Sequence, residues 1–87
     1  MFHSFVLPAL RTLTTREVAR RVKVSPAAAS YVLNGHKVPH PRNREKYAHV
    51  ALELARSSLL DRKLEVPSDE ISLLSAFLRL HGVSITR

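Results

Sequence analysis

The residues in this sequence best suited to chemistry are cations and hydroxyls, rather than paired acids or nucleophiles. Arg16, Arg20, Arg21, Lys23, Lys37, Arg42, Arg44 and Lys46 stand close together, with Ser25, Ser30, Tyr31 and Asn34 interleaved. Guanidinium and ammonium groups hold phosphate oxygens. Hydroxyls and amides add directional hydrogen bonds to phosphates or base edges. The chemistry of such a set is the binding of a polyanion. The bulk charge agrees, with 14 Lys+Arg against 7 Asp+Glu and a net charge of +7. Residues 1–64 hold 12 basic and 4 acidic side chains, a net +8, whereas residues 65–87 hold 2 basic and 3 acidic, a net −1. Duplex DNA, with one charge about every 1.7 Å of axis, is the natural partner for that field.

Other chemistries find less support. The five histidines are His3, His36, His40, His49 and His81. His36 and His40 are four apart, but Pro39 and Pro41 keep that stretch out of a helix, and no cysteine or paired carboxylate completes a tetrahedral set. No metal or other cofactor is expected. His36 and His40 read instead as loop residues near phosphate. No carboxylate pair lies in an apolar context and no serine or histidine sits in a nucleophile setting, so the chain does not read as an enzyme. Gly35 and Gly82 are too far apart to build a phosphate loop. The absence of cysteine excludes disulfides. No apolar run approaches the roughly 18 residues of a membrane span, and residues 1–13 lack a basic front end and cleavage pattern. The expectation is a soluble, cytoplasmic, nucleoid-associated protein.

The elements that must position the cations are helices. Phe2, Phe5, Val6, Ala9, Leu10 and Leu13 follow a helical spacing interrupted by Pro8, which predicts an irregular lead-in and a short helix packed as a lid on the core. Thr14 caps the next helix, from Thr15 to about Val22, and Glu17 three residues later completes a capping box. Lys23-Val24-Ser25 is a tight connection. Ser25 caps a helix that begins at Pro26, and Asn34-Gly35 stops it after Leu33. A long helix follows the proline-bearing loop, starting near Arg42 or Asn43 and running to about Lys63. Ser68 caps a last helix, with Asp69 and Glu70 in its first turn and Gly82 at its end. The fold class is all-α, with four or five helices. Residues 1–64 form the binding domain, and residues 65–87 supply a C-terminal helix packed on it.

The helices at Thr15–Val22 and Pro26–Leu33 make a helix-turn-helix. Ala19 is small enough for a close crossing, and Val24 fills the angle between the helices. Val18, Val22, Ala29, Val32 and Leu33 close a small core, which leaves the start of the second helix free to enter a major groove. Arg16, Arg20, Arg21 and Lys23, on or just after the first of these helices, and Lys37, Arg42, Arg44 and Lys46, on the loop and the next helix start, would reach flanking phosphates.

The run from Leu13 through Val18-Ala19, Val24-Ser25 and Val32-Leu33-Asn34, continuing into Val38-Pro39 and Asn43-Arg44-Glu45-Lys46, resembles the headpiece of LacI-type repressors over roughly residues 13–55. The resemblance implies that Ser25, Ser30 and Asn34 contact phosphate or position the second helix. It also implies that Pro26, Ala27 and Tyr31 lie where base-reading side chains stand. Together with the charge pattern, this places Ser25, Pro26, Ala27, Ser30 and Tyr31 at the bases or groove. Thr15, Arg16, Arg20, Lys23, Asn34, His36, Lys37, Arg42 and Arg44 fall on the phosphates. Pro26 and Ala27 cannot form bidentate hydrogen bonds, so direct readout would be thin: a thymine methyl against Ala27 and one hydrogen bond from Tyr31. The family's sugar-binding domain and hinge linker have no counterpart within these 87 residues, which leaves an inducer without support.

The last helix carries Ile71, Leu74, Phe77 and Leu78, a wider apolar stripe than a lone four-helix unit needs. The excess predicts a homodimer interface, and two-fold symmetry suits half-sites one helical turn apart. The expected function is a sequence-specific double-stranded DNA-binding transcriptional regulator, most simply a repressor. Two alternatives stand beside it. One is a helical antitoxin or anti-repressor that uses the same apolar helix on a protein partner. The other is an excisionase or MerR-like architectural binder, which would follow the second helix with a β-hairpin.

Overall fold

The computed structural model describes residues 2–36 and 38–82. It is all-helical, with five α-helices and no strand among the described residues. The chain opens in a wide π-helical turn, Phe2–Val6, and tightens directly into α1, Leu7–Leu10. The expected irregular lead-in is therefore helical. Pro8 sits in the first turn of α1, where its missing N–H costs little, and the wider turn carries the helical path up to it. Val6, Leu7, Ala9 and Leu10 are buried, so this segment is part of the core rather than a lid.

Helix α2 spans Thr15–Val22 and α3 spans Pro26–Leu33, the bounds expected from their local caps. Thr14 Oγ accepts from the Glu17 amide at 3.1 Å, and Ser25 Oγ accepts from the Ala28 amide at 3.2 Å. The capping box is only half made. The Glu17 carboxylate does not turn back to Thr14, because Arg20 and Arg21 on the next turn capture it. Between the helices, Lys23 takes a left-handed φ of 69°, and its amide and that of Val24 both bond to the Ala19 carbonyl. Val18, Ala19 and Val22 of α2 meet Ala29, Val32 and Leu33 of α3, all buried.

Helix α4 spans Pro41–Asp61, starting a residue before and ending two residues short of the expected span. Its N-cap is His40, whose Nδ1 accepts from the Arg42 amide at 3.3 Å. Helix α5 spans Glu70–Leu80. Its cap is Asp69 rather than Ser68: the carboxylate takes the Ser72 amide at 2.9 Å, and this backbone hydrogen bond holds the Asp69 carboxyl below its usual range.

Tyr47, Val50, Ala51, Ala55 and Leu59 run along the inner side of α4, against α2, α1, the opening turn and α5. Helix α5 contributes Leu73, Leu74, Phe77 and Leu78, each no more than 1% exposed. This overturns the expected dimer surface. Leu74, Phe77 and Leu78 are consumed by the core of a single chain, and of the four residues only Ile71, 51% exposed, faces outward. The surplus stripe is matched by the opening turn and α1, which pack on α5. A charge placed at Leu74 would unfold the chain rather than divide a pair. No helix among the described residues is long and apolar enough to cross a membrane.

Candidate nucleic-acid interface

The outward side of α3 begins at its cap. Ser25, Pro26, Ala27 and Tyr31 are exposed, with Tyr31 at 57%, and Ser30 is half-buried beside them. The positions follow from helical periodicity. Ala29, Val32 and Leu33 turn inward to α2, so 26, 27, 30 and 31 must turn outward. Asn34 and His36 extend this side beyond the helix end. Asn34 Nδ2 donates to Ser30 Oγ at 3.2 Å, and the His36 ring stands edge-on to Tyr31 at 6.5 Å. The face is low in relief: a proline, an alanine, a serine and one phenol. It offers few hydrogen-bonding groups to a base edge, but the serine cap and the exposed first turn leave the positive end of the helix dipole open to an anion.

The cations around it divide by what they touch. Thr15 and Arg16 are exposed at the start of α2. Arg20 pairs with Glu17, and Arg21 Nε lies 2.7 Å from the same carboxylate. The hydrogen bond from Arg20, then that from Arg21, holds the Glu17 carboxyl below its ordinary range, while the carboxylate raises Arg20 in turn. Both arginines reach solvent, but with their charge partly answered. Lys23, Arg42 and Lys46 have no carboxylate oxygen within 4.0 Å among the described residues. Lys37, expected on phosphate, lies outside the described residues.

Arg44 does not join this group. Residues 42 and 44 lie roughly 200° apart around a helix. Arg44 is half-buried and opens on a different cavity of about 470 Å³, lined by Phe2, Val6, Ala48, Leu52 and Glu70 among others. Arg44 thus lies on the flank of α4 that faces the opening turn, apart from Arg42 and Lys46.

One participant escaped the sequence reading. Arg11, just after α1, reaches across to the end of α3. Its Nε and Nη2 both donate to the Leu33 carbonyl oxygen, at 2.9 and 2.6 Å. The last carbonyls of a helix have no partner within it, and a cation there also meets the negative end of the dipole. Arg11 thus ties the far end of the exposed helix to the N-terminal part of the core. The two residues are 22 apart in the chain, and no local pattern marks the pair.

Among the described residues, no three His, Asp or Glu side chains gather as a metal site would require. Comparison with protein-family models, curated proteins and solved structures finds no match.

Proposed function

We propose that this chain is a sequence-specific double-stranded DNA-binding transcriptional regulator, acting as a repressor by placing α3 in the major groove and covering a promoter-proximal site. One observation carries the reading. Helix α3 is locked on its inner side against α2, while Pro26, Ala27 and Tyr31 stand exposed, with Lys23 two residues before the Ser25 cap. A helix held at its base, with small side chains at its leading end, can approach base edges closely. The resemblance of residues 13–55 to a LacI-type headpiece and the net +8 of residues 1–64 support the same reading. An antitoxin or anti-repressor working through the apolar side of α5 is disfavoured, since that side is buried. A winged architectural binder is disfavoured by helix α4, which stands where its hairpin would be. A second copy on an adjoining half-site would have to meet the first through residues still exposed, such as Leu60, Leu64 and Ile71.

The test is Ala27→Glu. Ala27 is exposed in the first turn of α3, where a carboxylate favours the helix, so the fold should persist. In a major groove walled by phosphates, the same charge should lower duplex affinity roughly tenfold or more. Fluorescence anisotropy with a parallel thermal melt separates the two effects. Undiminished affinity in a folded variant would remove α3 from the interface.

A further inference from the structure

Helix α4 crosses the end of α2 so that four cations from separate parts of the chain meet around one cleft. Arg21 and Lys23 come from the end of α2 and the turn, and Arg42 and Lys46 from the first two turns of α4. The cleft measures about 490 Å³. Val22 and Val50 form its floor, and Glu45 and His49 complete the wall. Glu45 is the one carboxylate in the lining, and it makes no ion pair with the cations within 4.0 Å. Of these four cations Glu17 pairs with Arg21 alone, while Lys23, Arg42 and Lys46 are exposed with no carboxylate oxygen within 4.0 Å among the described residues. Four like charges converging on a small cleft repel one another in the free protein, and a bound anion relieves that repulsion. The cleft adjoins the leading end of α3, because Lys23 in its wall is two residues from the Ser25 cap.

We propose that this cleft binds the sugar-phosphate backbone of duplex DNA, holding phosphodiesters beside the bases that α3 faces. The assignment rests on the proposed role of α3. It divides the work: α3 meets the bases, and the α2–α4 cleft grips the backbone without regard to sequence. Arg42 and Lys46, one helical turn apart on α4, each meet a phosphate oxygen. Lys23 reaches the same strand from the turn.

The experiment compares two double variants of equal charge loss on a random duplex over a range of salt. Arg42→Gln with Lys46→Gln removes half of the cleft's cations. Arg56→Gln with Arg79→Gln removes two exposed cations that do not line the cleft. Thermal melts establish that both are folded. Each phosphate neutralised contributes about 0.9 to the slope of log K against log salt. The cleft variant should therefore flatten the slope by about 1.8, and the control should leave it nearly unchanged. Equal flattening in both would make the effect diffuse charge and overturn the cleft. An unchanged slope in the cleft variant would overturn it too, while leaving α3 to stand or fall by Ala27→Glu. Displacement of DNA by polyglutamate as readily as by competing duplex would point to an acidic protein partner and equally overturn the assignment. Absence of any salt-dependent duplex binding by the wild-type chain would remove the role of α3 and the cleft together.

Discussion

Glu17, in the first turn of α2, pairs with both Arg20 and Arg21, and under the proposed DNA-binding role it would hold two arginines back from phosphate. Replacing it by Gln keeps its size and removes the charge that Arg20 and Arg21 share. Duplex affinity should rise, and the salt slope should steepen by about 1 to 2 as the guanidinium groups find phosphates. Unchanged or weaker binding would place both arginines away from DNA. The same variant carries a pH signature. Because the folded Glu17 carboxyl is held low, its ion pairs stabilise the fold above the ordinary carboxylate range. That stabilisation disappears as pH falls through the lowered value. The wild-type melting temperature should therefore drop more steeply in acid than that of Glu17→Gln. At this scale the caps of α2 and α3 were legible, since Thr14, Ser25 and Pro26 act within three residues of themselves, whereas α4 and α5 are capped by His40 and Asp69 instead of residues the sequence singled out as caps. Arg11 was not, because its partner is a backbone carbonyl that only the tertiary fold brings near.

The exposed helix is positioned by its two ends, Ser25 at the start and Arg11 at the finish. Loss of the Arg11 guanidinium should cost about 1.5 kcal/mol, typical of hydrogen bonds to a charged group. It should also loosen the end of α3 that carries Tyr31 and Asn34. Arg11→Gln should thus lower affinity for a preferred site more than for random duplex, and speed amide exchange in α3. Its salt slope should hold, since the guanidinium faces a carbonyl and not a phosphate. A flatter slope with unaltered site preference would make Arg11 a phosphate contact instead. Helices α2 and α3 were readable from caps and stop signals, because those are local. The stripe on α5 was misread as surplus for a non-local reason. Pro8 argued against a helical start, which hid the surface of Val6, Leu7 and Leu10 that the stripe covers. Likewise, the cations of α4 were readable as a group, but only the register of the helix separates Arg42 and Lys46 from Arg44.

At the scale of the molecule, one core joins the opening turn and all five helices, with no buried charged side chain among the described residues. Most of the apolar residues are thereby committed within one chain, and what remains outside is charge with a few scattered apolar side chains such as Leu60, Leu64 and Ile71. That charge is concentrated in residues 1–64, on the same elements that leave α3 exposed. Binding driven by such a surface must weaken as salt rises, and specificity must come from the few groups on α3. The most direct test is to titrate the wild-type chain into a labelled random duplex, and into a pool enriched by it from random sequence, at several salt concentrations. The account predicts affinity that falls linearly on logarithmic axes with salt, and a common motif in the enriched pool that binds more tightly than the random duplex. Absence of binding at low salt, or binding that enriches no motif, would contradict it.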